Sequence, residues 1–183
     1  MAKKSSNKIN LVNVVAVVVA IVAVVLFAVL PMVKATMGEE GNQMVGLYKG
    51  FGMIFGGTVT GDVTTTITAF GKTTTSTDVV EITDVAFNTM AFVSFLLVVL
   101  GIVATLVTTF VKSFSKNKLF TLVAGALLVV GGVLMFTVKG SAITALDATS
   151  ASEYFSLAYG PIVAGILAIV AGAGVVGYPY LKK

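Results

Sequence analysis

The sequence predicts a membrane all-α fold: a four-transmembrane-helix bundle carrying a small extracellular antiparallel β-sheet from the first outer loop. Three observations lead there. The 183 residues are 57% hydrophobic and 11% charged, with a mean hydropathy of +1.03. A soluble domain of this size cannot bury so much apolar surface, so the natural solvent is lipid. Four apolar runs each approach the ~20 residues that cross ~30 Å of hydrocarbon as a helix. The stretch between the first two runs is rich in Gly and Thr and holds six of the eight acids.

Residues 1–10, MAKKSSNKIN, form a short cytoplasmic head. The first membrane helix is assigned to 11–34, an apolar run that closes on Lys34. A signal peptide has a shorter apolar region and a small-residue cleavage site. Pro31, Met32 and Lys34 make a poor cleavage site, so an uncleaved helix is expected. Residues 35–84 form the outer loop. Its segment GTVTGDVTTTITAFGKTTTSTDVVEIT is dense in β-branched residues that suit a pleated surface. Gly61-Asp62 and Gly71-Lys72 read as turns between two or three antiparallel strands, with a further strand around 44–55. Interleaved Val, Ile and Phe argue against a disordered linker.

The second helix is assigned to 85–111, a cytoplasmic loop to 112–118, and the third helix to 119–139. A short outer loop follows at 140–156, then the fourth helix at 157–178 and a cytoplasmic C-terminus at 179–183. Orientation follows from charge. With the N-terminus inside, the inner segments carry eight Lys and no acid; the outer ones carry four Lys and all eight acids. That bias obeys the positive-inside rule, which places both termini in the cytoplasm of a multi-pass plasma-membrane protein. It also accounts for the net charge of +4 without a nucleic-acid partner, since no basic patch interleaved with aromatics is present.

The composition removes much catalytic chemistry. The chain has no Cys, His or Trp, and all twelve basic residues are Lys. Thiolate nucleophiles, iron–sulfur and zinc-thiolate sites go with Cys, and the usual general base goes with His. The Arg fork for phosphate or carboxylate is missing as well. Ser113 and Ser115 beside Lys112 and Lys116 fall in a short inner loop where no pocket is expected, and LYKGFGMIFGG matches no phosphate or dinucleotide loop. No enzyme activity, cofactor or metal is expected.

Three features remain. Small residues recur at helical spacing: Gly160, Ala164, Ala168 and Gly172 in the fourth helix, and Ala91, Ser94, Gly101, Thr105 and Thr108 in the second. Such stripes let helices approach closely, either inside one bundle or between copies. Ala16, Ala20 and Ala23 offer the same in the first. The helices also carry Asn13, Asn88, Ser94, Thr105, Thr108, Thr121 and Thr137 but no ionisable core residue, which argues against a proton-coupled pump. Interhelical hydrogen bonds or caps are expected there. The outer acids Glu39, Glu40, Asp78, Glu81 and Asp84 fit no calcium loop; they read as a solvated face or as a collector of cations.

Four helices, both ends inside, a strand-rich first outer loop and a short second one resemble the claudin-type tetraspan arrangement. Gly46-Leu47-Tyr48 stands where that family carries a Gly-Leu-Trp triplet. The family's first tryptophan and its disulfide cysteines have no counterpart, so no covalent staple holds the sheet. The resemblance implies a left-handed bundle under a small sheet, side-by-side homo-oligomers in the bilayer, and outer-loop contacts with a membrane-protein partner. The Lys-only, Cys-free usage points to a bacterial source. The leading expectation is a non-enzymatic protein that self-assembles, its outer loop making structural or adhesive contacts. The alternative is a channel or transporter subunit with an acidic outer vestibule.

Overall fold

A computed structural model of the chain describes residues 11–39, 42–111, 114 and 117–181. In chain order the elements are α1 (Leu11–Val29), β1 (Val33–Glu39), β2 (Asn42–Lys49), a one-turn α2 (Gly52–Phe55), β3 (Gly57–Ala69), β4 (Lys72–Val85) and α3 (Thr89–Phe110). Then come α4 (Lys118–Met135), α5 (Val138–Ala145), a 3-10 turn (Thr149–Tyr154), β5 (Phe155–Leu157) and α6 (Tyr159–Leu181). Four of these helices, α1, α3, α4 and α6, are long and apolar enough to cross a membrane, with mean hydropathies of 3.2, 2.8, 2.1 and 2.1.

The all-α expectation with a small sheet is corrected. The fold is mixed α and β, with a five-stranded antiparallel sheet in the order β4-β3-β2-β1-β5. Two effects enlarge the sheet. Pro31 lacks an amide and disfavours helix before it, so α1 ends at Val29 and Val33–Glu39 becomes a strand. The second loop contributes β5, which pairs with β1 through Val33–Leu157 and Ala35–Phe155.

Two expected turns resolve differently. Gly61-Asp62 lies inside β3, where Gly61 faces Tyr48 and Asp62 faces Leu47. The second turn is real, centred on Phe70-Gly71, with φ of 52° and 73°. Gly52–Phe55, read as strand, form α2 instead; its Phe55 ring meets Phe92 and Phe95 of α3 edge-on. A glycine at each end of that helix leaves the chain free to turn there. The loop read at 140–156 is structured. α4 stops at Met135 because Phe136 and Thr137 bond three residues back and the Thr137 hydroxyl donates to the Leu134 carbonyl. The chain then restarts as α5, which holds Lys139 and Gly140.

The long helices pack in an antiparallel circuit: α1 on α6 and α3, α3 on α4, and α4 on α6. The core is built from small residues and a few large ones, among them Ala20, Ala23, Phe27, Val98, Leu128, Met135, Ala164 and Ala168. Backbone bonds stitch the sheet to this bundle. Met32 N donates to the Tyr48 carbonyl (2.8 Å), Ala158 N to Met32 (3.1 Å), Gly160 N to Pro31 (3.1 Å) and Ala86 N to Ala145 (3.0 Å). Asn88, fully buried there, caps α3 by accepting from Ala91 N at 3.1 Å. All strands therefore leave one end of the bundle.

Candidate functional site

The β3–β4 hairpin is where the fold departs from simple packing. Its strands have 13 and 14 residues, so each spans roughly 45 Å. Only the base is buried, through Val59, Gly61 and Val85. From Ile67 around the tip to Glu81 every residue is exposed. With no core to rest on, the outer part is held by its own cross-strand pairs. Thr64 faces Thr77 and Thr68 faces Thr73, with hydroxyl oxygens 3.1 and 3.0 Å apart. Thr66 faces Thr75 between them. Such Thr–Thr bonds and β-branched pairs stabilise a ladder that buries little. The Thr-rich composition thus builds a free-standing arm.

Three features of that arm have no partner among the described residues. β4 is the terminal strand of the sheet, paired with β3 alone. Phe70 stands fully exposed at the tip in left-handed backbone. The αL conformation costs an L-residue with a bulky side chain roughly 1–2 kcal/mol, and two-residue turns of this kind favour Asn-Gly. Val79 and Val80 are also exposed, at 69% and 41%.

Near the bundle the sheet is ordinary and tight. Tyr48 stacks on Phe155 with ring centroids 6.1 Å apart. Lys49 forms an ion pair with Asp62, diagonal to it across β2 and β3. At the base of β4, Thr83 and Asp84 oppose the single residue Thr58, a bulge in which Asp84 takes a φ of 59°. That bulge turns the strand into α3.

The outer acids do not form one cluster. Glu39 lies on β1, three strand positions from β4 and thus roughly 14 Å away. Asp78 and Glu81 are three apart on one strand and point to opposite faces. Asp84 serves the bulge, and Glu40 lies outside the described residues. Among the described residues no three acids could hold a metal ion. Lys112, Ser113, Ser115 and Lys116, and the charged ends Lys3, Lys4, Lys8, Lys182 and Lys183, also lie outside them.

The small-residue stripes face neighbouring helices of the same chain. A methyl at Gly160 would come within 2.5 Å of the Pro31 carbonyl, one at Gly172 within 2.6 Å of the Gly125 carbonyl, and one at Gly101 within 2.7 Å of Leu128. Ala91, Ser94, Thr105, Ala164 and Ala168 are fully buried, and Thr108 nearly so. The hydroxyls of this set bond to their own helix: Ser94 to Met90, Thr105 to Gly101 and Thr108 to Thr105, at 2.7, 2.7 and 2.9 Å. Interhelical bonds are therefore not what these three make. Asn13 is buried with an Oδ1 that has no hydrogen-bond partner among the described residues.

Sequence reasoning missed the small residues of α4 and half of those on α6. Gly125 meets Gly172, Gly132 meets Gly165, and Gly131 abuts Val98 of α3. The signal was present, since Gly125 and Gly132 stand seven apart and share a face. Gly46, of the Gly46-Leu47-Tyr48 triplet, lies with Gly61 under the Tyr48 ring, while Leu47 points to the other face.

Compared with protein-family models and with curated proteins, the chain matches none. Its function has to be argued from this geometry.

Proposed function

We propose that this chain is a non-enzymatic, multi-pass protein of the plasma membrane that self-assembles, using the β3–β4 arm for structural or adhesive contacts between protomers. The observation that carries this reading is the free edge of β4: a 14-residue strand, exposed along Lys72–Glu81 and paired on one side only. An unpaired edge presents a row of amides and carbonyls that another strand can satisfy. The four apolar helices support a membrane anchor, and the Lys bias supports a sheet outside with both termini in the cytoplasm. The resemblance in layout to claudin-type proteins agrees with side-by-side assembly. The vestibule reading gains nothing from acids that lie on different strands and faces.

The test is the oligomeric state. Native mass spectrometry of the whole protein, released from mild detergents and from lipid, should give dimers or larger species. A strict monomer under all conditions removes the proposal. Sidedness is read separately in intact cells: an impermeant maleimide should label a cysteine placed at Thr66 and spare one placed at Lys183.

A further inference from the structure

Resting on that reading of self-assembly, the geometry points to a defined contact: two copies join antiparallel through β4, with Thr75 facing its own counterpart. The turn at Phe70-Gly71 has two residues, so Ala69 and Lys72 exchange backbone bonds with each other. Lys72, Thr74, Ser76 and Asp78 therefore turn their amides and carbonyls toward β3. Thr73, Thr75, Thr77 and Val79 turn theirs outward. Directly opposed residues of a ladder must both turn inward or both outward, so a two-fold pair of β4 strands can centre only on a residue.

Charge selects which residue. Centred on Thr75, Lys72 lies opposite the partner's Asp78, and the partner's Lys72 opposite Asp78. Centred on Asp78 the two carboxylates would face each other, which is destabilising. Centred one step either way from Thr75, Lys72 meets a valine or a serine. The segment Lys72-Thr73-Thr74-Thr75-Ser76-Thr77-Asp78 is thus chemically self-complementary. Charges on an edge strand usually guard it against pairing; at this spacing they match instead.

The same register accounts for the other unpartnered features. Thr77 falls opposite the partner's Thr73 and Thr75 opposite the partner's Thr75. The Thr64–Thr77, Thr66–Thr75 and Thr68–Thr73 pairs then continue across the joint as rows of four threonines. The exposed tip residue Phe70 comes level with the partner's Val80, and Gly71 with the partner's Val79. Three unexplained surfaces meet in one contact.

Cross-linking tests it in membranes of cells making the full chain, which has no native thiol. A pair that exchanges backbone bonds has Cα atoms ~5.5 Å apart, within disulfide reach. Thr75→Cys should give at least about tenfold more disulfide dimer under mild oxidation than Thr66→Cys, whose counterpart lies three strand spacings, ~14 Å, away. Lys72→Asp and Asp78→Lys should each weaken association of the otherwise unchanged protein about tenfold, and the double exchange should restore it. If the unmodified protein oligomerises but Thr75→Cys cross-links no better than Thr66→Cys and the charge exchange fails to rescue, this contact is wrong and self-assembly stands. If the unmodified protein is monomeric, both fail.

Discussion

Tyr48 sits directly opposite Gly61 across β2 and β3, and its ring fills the space that a side chain at 61 would need. A β-carbon at Gly61 would come within 2.9 Å of the Tyr48 ring, and one at Gly46 within 3.1 Å of its hydroxyl. The ring thus lies on a floor of two glycines and stacks on Phe155 of β5. A glycine in a strand is a weak point that an aromatic across the ladder can cover. Gly61→Val should therefore destabilise the sheet by about 1–3 kcal/mol through overpacking. Combining it with Tyr48→Ala should cost less than the sum of the two single changes. Thermal unfolding by circular dichroism on the four variants of this cycle measures the coupling; strict additivity would show that the ring and the glycine do not depend on each other.

A close helix contact gives the second prediction. Gly125 of α4 and Gly172 of α6 meet backbone to backbone, and a methyl on either would reach the other's carbonyl, at 2.8 and 2.6 Å. Small residues are what permit this approach where lipid offers no hydrophobic drive. Gly172→Val should lower stability by about 1–3 kcal/mol, read as the midpoint of denaturation in mixed micelles. Gly140→Ala is the contrast. No atom of the described residues beyond its own helix backbone and chain neighbours lies within 4 Å of a β-carbon at that position in α5, and replacing a helical glycine by alanine should stabilise by about 0.5–1 kcal/mol. Equal responses at the two sites would contradict the packing.

These two sites also show how far the sequence could be read. Long apolar runs mark helices because only ~20 such residues span the hydrocarbon, and four helices of that kind occur, although α1 stops at Val29 and α4 at Met135, short of where the runs of the sequence end. The Thr-rich arm was legible for the same kind of reason, since β-branched residues suit strands. Gly61 was misread because glycine beside an acid looks like a turn, and only the ring on the neighbouring strand makes it a strand residue. β5 was not legible: it is three residues long, and its pairing with β1 joins positions more than a hundred residues apart. The acids looked like one surface because a list of positions hides which strand and which face each occupies. Gly125 and Gly132 stand seven apart, two helical turns, so they form no continuous small-residue stripe in the sequence although they share a face.

A third prediction concerns the polar residues inside α3. Thr105 is fully buried, and its hydroxyl donates to Gly101 of its own helix at 2.7 Å. The accepting carbonyl already serves the helix ladder, so removing the hydroxyl leaves no acceptor unsatisfied. Thr105→Val keeps the shape and should change stability by less than about 1 kcal/mol. A hydroxyl that joined α3 to another helix would cost more when removed, because its partner would be left unsatisfied in a dry interior. A loss well above that bound, in the same unfolding assay, would show that Thr105 makes such an interhelical bond.

The tip of the arm gives the last. Phe70 holds a φ of 52° with Gly71 at 73°, a turn that asparagine fits better than any bulky residue. Its side chain is fully exposed and buries nothing in the protomer. Phe70→Asn should therefore stabilise the folded monomer by about 1 kcal/mol. On the proposed reading of self-assembly, a residue that costs stability where it stands, and that no contact among the described residues compensates, serves the contact between copies. Phe70→Asn should accordingly weaken self-association while raising the unfolding temperature, and the two readings should move in opposite directions on one sample. Analytical ultracentrifugation in detergent beside a thermal melt makes the comparison. Should both fall together, Phe70 is holding the hairpin itself, and the strain at the tip has a local explanation.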